Sequence, residues 1–312
     1  MIRCAHIRVD YDAFTAVSDL DLTIPAGEIF GLIGPNGAGK SSTIRVLATL
    51  QVPTLGTASI AGYDLAEQRQ EVQRVLGYMP DDAPVYDALR IDDFLHLFAT
   101  AYLPDANQAK KRVEEVLDLV RLQERRGQKA GTLSRGLKQR LVLAKTLLHD
   151  PLVLLLDEPA SGLDPKARIE LREIIREVAA RQRTVLISSH ILTEMEGFCT
   201  SIGIMARGKL LISGPIDEVI DAMTPARRFV VRLLSPPEPA LTLLAEIPQV
   251  LQPQLQSDGS LHFSFTGSDA EAAAVLSALV GAGAQVLRFA ENRMNVEDVY
   301  LQIGAQSEGE QA

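Results

Sequence analysis

The first part of the chain alternates apolar and polar residues, and later parts replace this alternation with apolar runs and helical repeats. Residues 3–9 and 18–24 have the period of two that is typical of strands with one buried face. Further short strands, the most apolar of them typical of a buried parallel sheet, are predicted at 28–33, 57–60, 75–80, 152–156, 184–190 and 201–205. Together with the helical segments between them, these strands predict an α/β fold with a mixed sheet.

From residue 81 to about residue 150 the apolar residues recur every three or four positions, as on one face of an amphipathic helix. The two clearest stripes consist of Ile91, Phe94, Leu95 and Phe98, and of Val113, Val116, Leu117 and Val120. We interpret these stripes as packing surfaces. They predict a helical subdomain, at about 82–150, inserted into the α/β core.

The pattern changes again at about 222–228, so we expect a first domain at 1–222 and a small α+β accessory domain at 223–304. Strands are predicted at 229–234, 250–256, 261–266 and 284–289, and helices at 239–246, 269–281 and 296–303. This order is compatible with a ferredoxin-like fold. No set of catalytic residues is visible in this domain, and residues 305–312 are expected to form a disordered tail.

A phosphate-binding pattern lies between the predicted strand at 28–33 and a predicted helix. It fits G-x-x-x-x-G-K-[ST] and consists of Gly34, Pro35, Asn36, Gly37, Ala38, Gly39, Lys40, Ser41 and Ser42. The glycines let backbone N–H groups approach a polyphosphate, and the helix adds its positive dipole end. Lys40 is expected to contact the β- and γ-phosphates and Ser41 to ligate Mg²⁺. A glycine-rich turn without a ligand is the weaker alternative.

Two carboxylates, Asp157 and Glu158, follow the apolar strand at 152–156. The carboxyl ends of strands in open α/β sheets are where ligands bind. Asp157 is therefore a candidate Mg²⁺ ligand, and Glu158 is a candidate general base for an attacking water. The competing interpretation is a strand that simply ends in two solvated acids.

Aromatic and histidine side chains add candidates for the same site. Tyr11, shortly before the phosphate-binding pattern, is a better candidate than Phe14 for stacking on an adenine ring, although both could be edge or core aromatics. His190 ends the strand at 184–190 and could hydrogen-bond a γ-phosphate, although a lone histidine is usually structural.

Composition narrows the function further. The chain has 312 residues and a net charge of −9, which gives no sign of a nucleic-acid-binding surface. Cys4 and Cys199 have neither metal-site nor redox spacing, so we expect buried or incidental thiols. No signal peptide is visible and no apolar run reaches the ~20 residues of a membrane span. Any role at a membrane is therefore expected to be that of a peripheral subunit.

Ser134 suits the N-cap position of a predicted helix that contains Leu137, Leu141 and Leu148 on one face. Taken alone, this is an ordinary capped helix. The phosphate-binding pattern, this helix and the Asp157–Glu158 pair follow one another in that order. With these motifs, the chain resembles the ATP-binding subunit of an ABC transporter, over about residues 2–220. The resemblance rests on a match to the family's LSGGQ signature at Leu133, Ser134, Arg135, Gly136 and Leu137, a D-loop at Asp164 and a switch histidine at His190.

The resemblance implies the fold of a P-loop NTPase: an ABC cassette with an antiparallel β subdomain and an inserted helical subdomain. It implies an ATPase that uses ATP and Mg²⁺ and forms a head-to-tail dimer, expected to be a homodimer because the set of motifs is complete. The phosphate loop of one copy would hold each ATP, and Ser134 and the Gly136 backbone of the other would cap it. The N–H groups at the start of the Ser134 helix are a suitable anion site.

The same resemblance implies a separate polytopic membrane permease and a location at the cytoplasmic, inner face of the cell membrane. The region around Asp81 and the C-terminal segment at 295–301 resemble drug- and antibiotic-resistance exporters, which favours export. The cargo is not predicted.

Two positions depart from the family pattern. Asp81 replaces a glutamine that contacts Mg²⁺ and the attacking water; a carboxylate can ligate Mg²⁺ but cannot donate a hydrogen bond. Arg135 replaces a glycine of the signature. Its guanidinium either adds positive charge close to the partner's ATP or points to solvent.

Two rival functions are disfavoured by the sequence. A soluble ABC ATPase acting on nucleic acid or ribosomes would carry a long coiled coil or two cassettes, whereas this chain has one cassette, no heptad run and an acidic balance. A catalytically idle binding subunit is disfavoured because Lys40, Asp157, Glu158 and His190 are all present.

Overall fold

The computed structural model describes residues 1–291 except Ala13, Ala83, Glu196 and 224–226. The predicted helix at 296–303, the segment at 295–301 and the tail at 305–312 lie outside the described residues. Two compact units are present. The first is Met1–Ile216 and the second begins at Asp217.

The first unit is built on a sheet whose strands are β1 (Ile2–Tyr11), β2 (Phe14–Ile24), β3 (Ile29–Ile33), β4 (Leu55–Ile60), β5 (Tyr63–Asp64), β6 (Leu76–Met79), β7 (Val153–Leu156), β8 (Thr184–Ser189), β9 (Ser201–Ala206) and β10 (Lys209–Pro215). Its helices are α1 (Lys40–Leu47), α2 (Arg69–Val75), α3 (Ile91–Tyr102), α4 (Ala106–Leu119), α5 (Arg135–Leu147) and α6 (Pro165–Ala179), and α7 (Ile216–Met223) follows β10.

The sheet is mixed, in the order β5-β4-β1-β2-β10-β9-β3-β8-β7-β6. Five consecutive strands of this order are parallel to one another: β9, β3, β8, β7 and β6. The pairs formed among β1, β2, β4 and β5 are antiparallel. Every residue of β3, β7 and β8 is buried, as the continuous apolar runs predict. The predicted α/β fold with an antiparallel β subdomain is confirmed.

The structure contains three short elements that the sequence does not predict, β5, α2 and α7, and it differs from the prediction at α3 and β10. Helix α3 begins at Ile91, and residues 84–90 contain no helix; Pro80 and Pro84 explain the delay, since proline disfavours helix at the preceding residue. Strand β10 occupies a stretch for which the sequence predicts only a hairpin turn, at 207–209. Its residues alternate between exposed and half-buried, but the exposed face includes the apolar Leu211, so the sequence shows no apolar–polar alternation.

The parallel strands place the candidate residues at one edge of the sheet. Strands β3, β7 and β8 are adjacent and parallel, so their carboxyl ends meet. The residues that follow them are Gly34, Asp157 and His190. Cys4 and Cys199, by contrast, are buried and unpaired, as expected of structural thiols, and burial raises the pKa of each to about 12.

The second unit is a small α+β domain with strands β11 (Arg227–Leu233), β12 (Val250–Leu255), β13 (Leu261–Phe265) and β14 (Val286–Glu291), and helices α8 (Glu238–Glu246) and α9 (Asp269–Gly281). The strands pair antiparallel in the order β12-β13-β11-β14. Phe229, Phe263 and Phe265 form its core, and Ser268 caps α9 through a capping box with Glu271. The predicted α+β domain is confirmed, with the element order of a ferredoxin-like fold.

Candidate functional site

The loop between β3 and α1 has the backbone geometry of an anion-binding turn. Gly37 and Gly39 have φ of 81° and 103°, values that favour glycine. A Cβ at Gly39 would come within 2.5 Å of the carbonyl oxygen of Ala16, so the position also requires glycine for space. Gly39 is the N-cap of α1 and has no side chain that could cap the helix. The first N–H groups of α1 are therefore directed at a possible anion.

Lys40 is held inside this loop. It is 5% exposed, and its Nζ donates to the carbonyl oxygens of Gly34 at 2.7 Å and Pro35 at 3.2 Å. The same ammonium lies 3.4 Å from Oε1 of Glu158, an ion-pair distance without hydrogen-bond geometry. A buried ammonium needs such partners because desolvation of an unpaired charge is costly.

Ser41, Asp157 and Ser188 form a connected set of oxygens. The Ser41 hydroxyl donates to Oδ1 of Asp157 at 3.1 Å, and the Ser188 hydroxyl donates to the same oxygen at 2.6 Å. Asp157 is 3% exposed. A hydroxyl beside a buried carboxylate is the type of oxygen donor set that Mg²⁺ prefers, so the two predicted ligands fit that ion. Ser188 was not predicted; its only signal in the sequence is a small polar residue within the buried strand β8.

Glu158 has a strained backbone, and hydrogen bonds hold both its backbone and its side chain. Its φ of 47° lies in the left-handed region, which is unusual for a residue other than glycine and is frequent at functional sites. Its backbone N–H donates to the Ser188 hydroxyl at 2.8 Å, and its Oε2 lies 3.0 Å from Nδ1 of His190. Within the described residues, Oε1 has no hydrogen-bond partner. The structure thus brings together the three residues predicted as catalytic: Lys40, Glu158 and His190.

Asp81 lies beside this cluster. It lines, with Lys40 and Glu158, an open depression of about 320 Å³ over the phosphate-binding loop. Burial, followed by the negative charges of Asp157 and Glu158, raises the pKa of Asp81. The carboxylates of Asp81, Asp157 and Glu158 are therefore close enough for their like charges to disfavour one another.

Both candidate aromatics lie at the rim of the same depression. Tyr11 is 39% exposed, and its hydroxyl donates to Oε1 of Gln51 at 2.5 Å. Phe14 is 60% exposed and begins the neighbouring strand β2. Asn36, Gly37, Ala38 and Ser42 complete the loop side of the depression. The preference for Tyr11 as the stacking residue stays a prediction.

None of residues 133–137 is among the described residues that line the depression. Ser134 is the N-cap of α5, as predicted, and its hydroxyl accepts from the N–H of Leu137 at 3.5 Å. Gly136 is buried against Ala167, where a Cβ would be 2.7 Å from the alanine's own Cβ. Asp164 caps α6 by accepting from the N–H of Ala167 at 2.9 Å.

Arg135 is exposed, and its guanidinium also makes a contact that the sequence does not predict. Its guanidinium packs over Gly162, the glycine two residues before Asp164, within the same chain. Gly162 has φ of 66° and no side chain, which leaves room for this contact.

No helix of the described residues has the length and hydropathy needed to cross a bilayer.

The sequence is similar to ATP-binding proteins of ABC transporters. The family described as "ABC transporter" matches residues 17–161. The chain is 30% identical over 307 residues to the Nod factor export ATP-binding protein I of Cupriavidus metallidurans, covering 97% of both chains. It is 33% identical over 214 residues to the linearmycin resistance ATP-binding protein of Bacillus subtilis, covering 69% of each.

Solved structures agree with the fold. An ATP-binding subunit of an ABC transporter is 32% identical and superimposes with a TM-score of 0.64, over 71% of this chain and 92% of the other. A dimeric ATP-binding cassette bound to ADP and Pi, 22% identical, has a TM-score of 0.63 and shares the fold over 69% of this chain and 99% of its own.

The variant Ser188→Ala tests whether the hydrogen bonds of Ser188 to Asp157 and Glu158 stabilise the first unit. The substitution removes a donor to the buried Asp157 and the acceptor of the Glu158 N–H. We expect the free energy of unfolding of the first unit to fall by about 1–3 kcal/mol, the cost of leaving buried polar groups unpaired. Urea denaturation without nucleotide measures it. Ser18→Ala, which removes a single 3.3 Å bond to the Gly208 carbonyl, is the control; an equal loss in both variants would contradict the role given to Ser188.

Proposed function

The chain belongs to the ABC transporter ATP-binding family, and we propose that it is the ATPase subunit of an exporter, working with a separate membrane permease. ATP-binding subunits of this family are ATPases, and this chain is one of them. Two of its relatives are named for Nod factor export and for linearmycin resistance, which supports export as the direction. The observation that carries the proposal is the contact of Lys40 and His190 with the strained Glu158, beside the Ser41–Asp157 pair.

ATP is expected to displace the internal contacts of Lys40. The ammonium now pairs with two loop carbonyls and Glu158, and a triphosphate in the loop would offer it stronger, charged acceptors. The N–H groups of the loop and of α1 would bind the remaining phosphate oxygens. Ser41 and Asp157 would hold Mg²⁺, which when bound neutralises phosphate charge and orients the γ-phosphate.

Release of Lys40 frees Glu158 to act as a base. With the ammonium on the phosphates, Oε1 of Glu158 loses its ion-pair partner and becomes available to accept the proton of an attacking water. His190 holds the other oxygen at 3.0 Å and thereby orients the carboxylate. We further propose that His190 hydrogen-bonds the γ-phosphate. Tyr11 would stack on the adenine at the rim.

The positions of Ser134 and Gly136 support a head-to-tail dimer of two identical chains. Both lie at the N-terminus of α5, outside the depression of their own chain, so an anion bound there would come from another copy. Two ATP molecules would then join the two copies. About 5.5 kcal/mol of differential binding moves such an equilibrium from 1:99 to 99:1, and charge-assisted bonds to two triphosphates are of sufficient strength.

A groove in the first unit is a suitable docking surface for the permease. It lies between α2 and the C-terminal ends of α3 and α5, has a volume of about 640 Å³, and is lined by Gln70, Gln73, Arg74, Tyr102, Leu103 and His149. Tyr102 is 51% exposed and stacks on His149 with ring centroids 4.6 Å apart. Exposed aromatic residues are typical of interfaces.

The chemistry of His149 adds a specific contact. Burial lowers the pKa of His149, so the ring is neutral at pH 7, and its Nε2 lies 2.9 Å from the carbonyl oxygen of Leu76. Donation through Nε2 leaves Nδ1 as a buried acceptor, and the described residues give it no partner. Asp81 lies in the stretch that runs from α2 through β6 to α3. A permease bound in the groove would contact both ends of this stretch.

This proposal assigns residues 1–222, with the helical subdomain at about 82–150, to ATP hydrolysis and coupling, and residues 223–304 to an accessory domain. With a permease as its anchor, the subunit would be peripheral, at the cytoplasmic face of the cell membrane.

Glu158→Gln is expected to abolish turnover while leaving ATP binding intact. The amide keeps the size of the side chain but cannot accept the proton of the water, and loss of a general base lowers kcat by about 10²–10⁴-fold. Steady-state phosphate release measures kcat, and size-exclusion chromatography with ATP and Mg²⁺ is expected to show a trapped dimer. Glu124→Gln, on the exposed surface, is the control. Hydrolysis at the unaltered rate in Glu158→Gln would remove Glu158 from the mechanism.

Lys40→Ala is expected to weaken ATP binding by at least about tenfold, since a charge-assisted contact to the phosphates contributes about 1.5–3 kcal/mol. Isothermal titration calorimetry measures the Kd. Lys166→Ala, an exposed lysine at the start of α6, should bind ATP like the unaltered chain. Equal ATP affinity in the Lys40 and Lys166 variants would argue against the phosphate-binding loop.

Tyr102→Ala and His149→Ala are expected to reduce the recovery of a polytopic membrane protein with the tagged chain from detergent-solubilised membranes, measured by quantitative mass spectrometry. The kcat and the ATP Kd of the isolated chain should stay within about twofold, because the groove is separate from the depression. Ile169→Ala, also an exposed apolar residue, is the control. Unchanged recovery in both groove variants would exclude this surface as the docking site.

A further inference from the structure

The backbone around His190 is held by the residue that precedes it. The N–H of Ile191 donates to the Ser189 hydroxyl at 3.1 Å, so one side chain closes the backbone around His190. The N–H of Gly34, in the phosphate-binding loop, donates to the Ser189 carbonyl oxygen at 3.2 Å. The position from which the His190 ring reaches Glu158 therefore depends on how Ser189 is held.

A buried carboxylate, that of Glu194, holds the Ser189 hydroxyl. Glu194 is 6% exposed, and its Oε2 accepts from this hydroxyl at 3.1 Å. Its Oε1 lies 2.9 Å from Nη1 of Arg168, on helix α6. A buried carboxylate needs such partners because desolvation of an unpaired charge is costly. Glu194 is therefore fixed from two directions.

Arg168 connects Glu194 to the loop that precedes α6. Its Nη2 donates to the carbonyl oxygen of Leu163 at 3.2 Å, while its Nη1 pairs with Glu194. A continuous set of contacts thus leads from this loop, through Arg168 and Glu194, to the residue that precedes His190.

Packing alone does not fill the space between this segment and the turn at Glu158. A cavity of about 20 Å³ is lined by Glu158 and Ser161 and also by Glu194, Met195 and Phe198. This volume accommodates roughly one water molecule. Because packing is incomplete here, the hydrogen bonds of segment 189–194 are needed to fix its position.

We propose that Glu194 is a positioning residue for the His190 ring and that Arg168 holds Glu194 in place. Glu194 is not among the described residues that line the depression over the phosphate-binding loop, so it acts through His190 and not on ATP. This inference rests on the proposed function, in which His190 orients Glu158. Loss of Glu194 frees the Ser189 hydroxyl, and the ring then loses its 3.0 Å contact with Glu158.

NMR of the chain labelled with isotopic histidine tests the position of the ring directly. The chain has five histidines, and the spectrum of His190→Ala identifies the signals of His190. Glu194→Ala and Ser189→Ala are each expected to move these signals toward those of an imidazole without a carboxylate partner. Ser189→Ala removes only a hydroxyl, so it decides the matter if Glu194→Ala does not fold. Unmoved His190 signals in the folded variants would overturn the proposal.

Steady-state phosphate release separates positioning from a purely structural role. Glu194→Ala is expected to lower kcat about tenfold, which corresponds to about 1.4 kcal/mol in the barrier. The ATP Kd should stay within about twofold. In the His190→Ala background, the same substitution should alter kcat by no more than about twofold. An equal loss in both backgrounds would show a structural role and overturn the proposal; where His190→Ala turns over too slowly to measure, the ring signals decide.

A conservative variant separates geometry from charge. Glu194→Gln keeps the size of the side chain and both links, because its amide oxygen can accept from Arg168 while its amide N–H donates to the Ser189 hydroxyl. It should retain at least about half of the kcat. A loss as large as that of Glu194→Ala would assign the effect to the charge of Glu194 and contradict positioning.

A matched control and the proposed function complete the set of outcomes. Glu173, also on α6, pairs with Arg121 at 2.7 Å; Glu173→Ala should leave kcat within about twofold and the His190 signals unmoved. Moved ring signals with an unaltered kcat in Glu194→Ala would overturn this inference alone. Hydrolysis at the unaltered rate in Glu158→Gln would overturn the proposed function, and the ring signals would still show whether Glu194 positions His190.

Discussion

The Lys40 ammonium is the charge on which the site depends. It is buried at the start of α1 and is stabilised by the carbonyl oxygens of Gly34 and Pro35 and by Glu158. These contacts satisfy the ammonium without a nucleotide, and they also occupy the carboxylate that we propose as the general base. In the proposed mechanism, binding of a triphosphate and release of the base are one exchange of partners at a single cation, which would make hydrolysis conditional on correct binding.

The sheet makes this exchange possible by joining β3, β7 and β8 in parallel register, so that the loop, the two carboxylates and His190 follow adjacent strand ends. Ser188 ties the last two strands together at this edge, since its hydroxyl contacts both Asp157 and the N–H of Glu158. The left-handed backbone at Glu158 is maintained by these contacts. The parallel strands and the strained turn at Glu158 thus hold the groups that we propose to exchange partners when ATP binds.

Local sequence patterns predicted the phosphate loop, the Asp157–Glu158 pair and most elements of both units, because glycine spacing and apolar runs depend on neighbouring residues alone. The sequence did not predict Ser188 as the bridging residue, because its role depends on β7 and β8 being adjacent. It also left Arg135 between two positions, and neither was the contact with Gly162, which requires α5 to lie against the 161–164 loop. Strand β10 was not predicted because the apolar Leu211 lies on its exposed face and hides the alternation from the sequence.

The central claim is that ATP takes over the contacts of Lys40 and joins two copies of the chain. The most direct measurement is a crystal or cryo-EM structure of Glu158→Gln with ATP and Mg²⁺. The account predicts two chains in head-to-tail arrangement, Lys40 Nζ on the phosphates rather than on Gly34, and Ser134 of each copy on the ATP of the other. A single chain whose bound ATP leaves Lys40 on the Gly34 carbonyl, with Ser134 in solvent, would contradict it.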